Sequence, residues 1–142
     1  MFWKRKPQFS DTQKAQFVDL ISEILKTQTV VASGCSIEDG EGRIKRKAIG
    51  YIYGFVDAAL RRVGQDTTNA SISVQIMYRV LRHVFPGYEE RYTQFLINNV
   101  GKDNLVMTGA MKGGQQYVDF IKPDAKGSPM GLARYMIEGD ER

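Results

Sequence analysis

The chain has 142 residues, with 20 Lys and Arg against 16 Asp and Glu and a net charge of +4. That length suits one domain, since compact domains mostly run to ~100–150 residues, and 42% hydrophobic with 25% charged residues is the balance of a globular chain, not a disordered or fibrous one. A single cysteine excludes an internal disulfide framework, and Cys35 with His83 is too small a donor set for a Cys/His zinc site, so neither metal nor cofactor is expected.

Residues 1–9 read as a basic and aromatic arm. Met1-Phe2-Trp3-Lys4-Arg5-Lys6-Pro7 carries cations with no apolar stretch behind them, which argues against a signal peptide. The longest nearly uncharged run, Ala48 to Leu60, contains Asp57 and is shorter than the ~20 apolar residues of a membrane span. A cytoplasmic location and no stable membrane insertion are therefore expected. Charge is spread evenly along the chain, and no repeat or low-complexity tract is visible.

From Ser10 onward, helical spacing dominates the sequence. Ser10-Asp11-Thr12-Gln13 predicts a capping box. Phe17, Leu20, Ile21, Ile24 and Leu25 then make the apolar face of a helix to about Thr27. Thr29-Val30-Val31 favours extended backbone, and a loop passes through Gly34, Gly40 and Gly42. A second helix is predicted from about Arg43 to Val63. Ile49, Ile52, Val56, Leu60 and Val63 form one stripe, and Gly50, Gly54 and Ala58 form another on the opposite side. Each glycine inside a helix costs ~1 kcal/mol relative to alanine, so two in register imply a close backbone neighbour. With both sides small or apolar, this helix should sit largely buried at the centre. Gly64 should end it as a C′ residue.

A third helix is expected after a Thr67-Thr68-Asn69 cap, carrying Ile72, Ile76, Met77, Val80, Leu81 and Val84 and stopped by Pro86-Gly87. A fourth carries Tyr88, Tyr92, Phe95 and Leu96 and closes at Gly101. A fifth starts near Asp103 or Asn104, with Val106, Ala110, Tyr117, Val118 and Ile121 as its face and a possible break at Gly113-Gly114. Ser128-Pro129 reads as N-cap and N1 of a last helix with Leu132, Ala133, Met136 and Ile137, ending at Gly139. Residues 139–142 form an expected frayed tail. The predicted fold is one all-α domain over residues 1–142, a bundle of five or six helices.

No catalytic constellation emerges. Cys35 and His83 lie in different segments, without the helix-terminal or paired-cysteine context that activates a thiol. The Glu38–Ile44 loop resembles a calcium loop at four positions, but Ile37 and Ala48 stand where its two key carboxylates belong. Asp57, the only charge between Lys47 and Arg61, has two readings. It either forms a solvated pair with Arg61 four residues on, or it is a partly buried carboxylate facing a cleft.

Arg43, Lys45, Arg46 and Lys47, then Arg79, Arg82 and His83, are the basic groups a nucleic acid would use. Solvated helix faces explain them more simply. The small-residue stripe must meet a second helix layer, another subunit or a ligand, and tyrosine suits half-wet surfaces. Gly50, Tyr51, Gly54, Asp57, Ala58, Arg61 and Tyr117 are accordingly the candidate binding residues. The phrase from Gly50 to Leu60 resembles segments of small bacterial helical proteins of uncharacterised or immunity-like function. The expectation is a non-enzymatic interaction module that binds a protein partner or itself. The alternatives are a nucleic-acid binder, and a small-ligand binder or enzyme with a pocket near Asp57 and Arg61.

Overall fold

The computed structural model describes residues 9–64, 70–125 and 127–141. The arm of residues 1–8, the expected Thr67-Thr68-Asn69 cap and Arg142 lie outside them. Six helices form among the described residues: α1 (Asp11–Val31), α2 (Arg46–Arg62), α3 (Ala70–Val84), α4 (Glu89–Asn99), α5 (Asn104–Phe120) and α6 (Gly131–Glu138). Local signals set many of their ends. The Ser10 hydroxyl accepts from the Gln13 N–H at 3.1 Å while Ser10 N–H donates to Gln13 Oε1 at 2.8 Å, a closed capping box. Asp103 caps α5 by accepting from the N–H groups of Leu105 and Val106. Gly64, Gly101 and Gly139, each at positive φ, follow the ends of α2, α4 and α6.

Other boundaries move. Thr29, Val30 and Val31 are helical, not extended: the Thr29 hydroxyl bonds back to the Lys26 carbonyl, and the side chains of Val30 and Val31 stand in solvent. α2 begins at Arg46 instead of Arg43, because residues 37–45 fold back as a small hairpin. Glu38 and Ile44 pair across it, and Lys45 N–H donates to the Ile37 carbonyl at 2.8 Å. α5 runs unbroken through Gly113-Gly114. Leu20, Val63, Val118 and Ile137, expected on apolar faces, are exposed.

α2 is the hub. Ile49, Tyr51, Ile52, Phe55, Val56 and Ala59 are wholly buried in the core. Its small-residue stripe meets α5. A β-carbon added at Gly50 would collide with the Val106 carbonyl, and one at Gly54 with the Ala110 carbonyl. The relation is mutual, since Gly109 faces the Lys47 carbonyl and Gly113 the Tyr51 carbonyl. The register rises together along both helices, so α2 and α5 run parallel. Four glycines remove the side chains that would keep the backbones apart. The second layer demanded by the stripe is thus another helix of the same chain.

Parallel packing places two helix N-termini side by side, each a partial positive charge. Two aspartates answer it. Asp103 caps α5, and the Asp140 carboxylate accepts from the N–H groups of Arg46 and Lys47 at 3.1 and 2.9 Å, capping α2 from beyond the end of α6. Arg46 lies between them, 2.9 Å from Asp103 and 3.5 Å from Asp140. Asp140 is therefore an anchored cap, and the expectation of a frayed tail fails at this residue. Asp140→Ala should cost about 1 kcal/mol, the usual loss for an N-cap, read as a lower urea midpoint with an unchanged slope.

α6 starts at Gly131, with Met130 as its N-cap, not at Ser128-Pro129. Its first N–H groups find acceptors on other helices. Leu132 N–H donates to Gln28 Oε1 of α1 at 2.8 Å, and Gly131 N–H to Gln116 Oε1 of α5 at 2.8 Å. The Tyr51 hydroxyl joins them, donating to Gln116 Oε1 at 2.5 Å and accepting from Gln28 Nε2 at 3.3 Å. Gln28 is 1% exposed and Tyr51 fully buried, and burial pushes the Tyr51 hydroxyl pKa up to about 12. At the other end of α6, Lys45 Nζ donates to the Met136 carbonyl at 2.5 Å, a cation on a helix C-terminus.

Candidate functional site

Tyr53 and Asp57 of α2 each line two hollows. On the α5 side lies an open groove. Gly54, Ala58 and Gly114 give it a shallow floor, Met107, Met111 and Val118 wall it from α5, and Arg61, Arg62 and Tyr117 close one end. Met111 is 77% exposed and Val118 43% exposed, large apolar groups that the fold leaves uncovered. Between α2, α3 and α4 lies a half-open cavity of about 290 Å³. Val56, Leu60, Val74, Met77, Leu96 and Val100 make most of its wall, with Tyr53, Asp57, Ser73 and Thr93 as its polar members.

Asp57 belongs to both hollows. Its side chain is 20% exposed, and Arg61 Nε lies 3.1 Å from Oδ2. Burial raises its pKa above the ordinary aspartate value, which the Arg61 charge opposes. The neighbouring Tyr53 hydroxyl is also pushed up, first by burial and then by the Asp57 charge. The two sequence readings of Asp57 therefore meet in one residue. It pairs with Arg61 at i,i+4, and it is a half-buried carboxylate on the wall of a cleft.

Five of the seven candidate binding residues, Gly54, Asp57, Ala58, Arg61 and Tyr117, line the groove. Gly50 and Tyr51 do not. Gly50 is covered by the Val106 backbone. Tyr51, expected at a wet edge, is an interior polar strut with no exposed surface. Tyr117 presents little of itself, because its ring packs edge-on against Phe55 at 5.2 Å.

Sequence reasoning counted Tyr53 among the tyrosines of a half-wet surface without placing it in a site, and it did not single out Thr93 in the cavity or Met107, Met111, Gly114 and Gln115 in the groove. Met111 and Gly114 follow the helical spacing of Met107 and Ala110, a stripe beside the buried one, and that spacing was the available signal.

Most of the basic candidates are engaged within the molecule. Arg43 pairs with Asp39 and Glu41. Lys45 holds the α6 terminus, Arg46 the two capping aspartates, and Lys47 lies 5.9 Å from the Tyr135 ring centre. Arg82 lies over the Tyr78 ring, and His83 Nε2 is 3.8 Å from Asp19. Cys35 lines a separate shallow hollow near Glu38, Phe85 and Tyr92, which His83 does not line. In that hollow the Tyr92 hydroxyl donates to Glu38 at 2.5 Å and Arg91 adds a bond at 2.8 Å, and these bonds hold the Glu38 carboxyl below its ordinary pKa. In the loop that resembles a calcium site Asp39 is held by its own loop, accepting from the backbone N–H groups of Glu41 and Arg43.

Among the described residues no cluster of three or more His, Cys, Asp or Glu could hold a metal ion, and no helix is long and apolar enough to cross a membrane. Compared with protein-family models, with curated proteins and with solved structures, the chain matches none.

Proposed function

We propose that the chain is a non-enzymatic binding module whose α2–α5 groove receives an amphipathic helix of a partner protein. The observation that carries this is the pairing of a side-chain-poor floor, Gly54, Ala58 and Gly114, with the uncovered Met111 and Val118. A floor without bulk lets a third helix settle against two others, and flexible methionines adapt to its side chains. The groove extends along α5 from Met107 to Ile121, about 21 Å at 1.5 Å per residue, which matches a partner helix of roughly four turns. Arg61 and Arg62 at one end favour a partner with carboxylates flanking its apolar face.

Gly114 supplies the test. A β-carbon there meets only the Gly54 carbonyl at 3.6 Å and Ala58 at 3.9 Å, so the position tolerates a side chain that Gly54 and Gly113 refuse. Gly114→Leu should leave the fold intact and fill the groove. Acid-flanked amphipathic peptides of about four turns, followed by fluorescence polarisation, should bind the native chain and lose at least tenfold in affinity against Gly114→Leu. Equal binding to both, or none to either, would remove the reading. Self-association that Gly114→Leu abolishes would replace the partner helix with a second copy of the chain. The nucleic-acid alternative has weaker support, because the cations of residues 43–47 are engaged within the molecule.

A further inference from the structure

We propose that the cavity between α2, α3 and α4 is a binding site for a small amphipathic amine, with the ammonium on Asp57 and the hydrocarbon body among the apolar side chains behind it. This site shares Tyr53 and Asp57 with the groove but lies on the α3–α4 side of α2, and it does not depend on the groove being occupied. The hollow is about 290 Å³, half open, and apolar over most of its wall. The volume lies at the small end of ligand pockets, ~300–1000 Å³, and the composition is theirs: apolar walls with a few polar points.

Those polar points set the ligand class. Asp57 presents a carboxylate at the wall, and Arg61 engages it through Oδ2 from a side chain that is itself 68% exposed. A surface partner of that kind is weakly held and yields readily to a cation arriving from the cavity. Tyr53, half-buried, lines the same hollow, and an aromatic ring beside a carboxylate adds to its attraction for a cation. Thr93, 6% exposed, contributes a buried hydroxyl with no hydrogen-bond partner among the described residues. That oxygen has almost no accessible surface, so Thr93 lines the hollow through its other atoms and the polar recognition rests on Asp57. Among the described residues that line the cavity, Asp57 is the one ionised group. An uncharged ligand would gain nothing from that charge, and an anionic one would be repelled by it.

The experiment uses hexylamine and benzylamine beside hexanol and benzyl alcohol, their uncharged counterparts, on the full chain. Binding is followed by thermal shift and by amide chemical shifts in two-dimensional NMR. The amines should raise the melting temperature and move the amides of Ala70, Val74 and Ile97, with affinities at least tenfold above those of the alcohols. Asp57→Asn, close to isosteric, should bring the amines down to the level of the alcohols. Gly114→Leu should leave amine binding unchanged, which separates this site from the groove. Silence from all four compounds overturns the proposal, as does equal binding of amine and alcohol by the native chain, a comparison that needs no variant. Undiminished amine binding by a folded Asp57→Asn protein overturns it as well.

Discussion

Gly54→Ala is expected to lower stability by about 2–3 kcal/mol, while Gly114→Ala, on the facing helix, is expected to be neutral or to raise it by up to ~1 kcal/mol. The two substitutions add the same methyl group and gain the same helix propensity. They differ in what the new carbon meets. At Gly54 it would occupy the place of the Ala110 carbonyl, with the carbonyl carbon 2.5 Å and the α-carbon 2.6 Å away. These are backbone atoms inside a helix, which cannot swing aside as a side-chain tip would. The helices must separate, and separation loosens every contact between α2 and α5. At Gly114 the nearest atoms stand at ordinary contact distance. Gly113→Ala should behave like Gly54→Ala, because its β-carbon would fall on the Tyr51 carbonyl. Chemical denaturation of the three variants checks the order. A Gly54→Ala protein as stable as the parent would mean that the parallel glycine contact does not exist.

Gln28→Leu should cost about 2–5 kcal/mol although it places an apolar residue in an apolar core. Gln28 gives an acceptor to Leu132 N–H and a donor to the Tyr51 hydroxyl, and both lie out of water. Removing it leaves a helix N–H with no partner and a hydroxyl with one fewer, at ~1–3 kcal/mol for each unsatisfied buried group. The loss should concentrate in α6, so Leu132 N–H should exchange with solvent faster relative to the global unfolding rate. Gln28→Glu adds a test of sign. A carboxyl buried there has a raised pKa, so its protonated form is the one the fold accepts. Stability should then be lower than the parent's at neutral pH and recover as pH falls through that raised value. A variant equally weak at every pH would show that the geometry of the amide, not charge, is what the site requires.

The contrast between those two regions explains what the sequence could reveal. Helices whose ends are decided within four residues were legible: Ser10 with Gln13, Asp103 with Val106, and Gly64 after α2. So was the all-α class, and so was the two-sided character of α2, because stripes at helical spacing report burial directly. The start of α6 was not legible. Its acceptors are Gln28 and Gln116, which belong to it only after the chain has folded, whereas Ser128-Pro129 satisfied the local rule without becoming the cap. Asp140 escaped for the same reason, as its acceptor role is at the start of α2.

The site shows the same division. Asp57 stood out as a lone charge on an apolar helix. Thr93 and Met111 did not, because neither is unusual until α3 and α5 are placed against α2. The partner of the glycine stripe was partly visible, since Gly109 and Gly113 repeat the spacing of Gly50 and Gly54.

The parallel union of α2 with α5 also governs when the molecule can become itself. α2 leaves the ribosome early, yet its glycine face finds its mate only after α3 and α4 have been made, and its own N-terminus waits for Asp140, which is synthesised after all six helices. Such distant closures are slow to form and contribute late. A nascent chain stalled before α5 would hold out a bare, apolar stem, and for that interval it is a natural client for a holding chaperone.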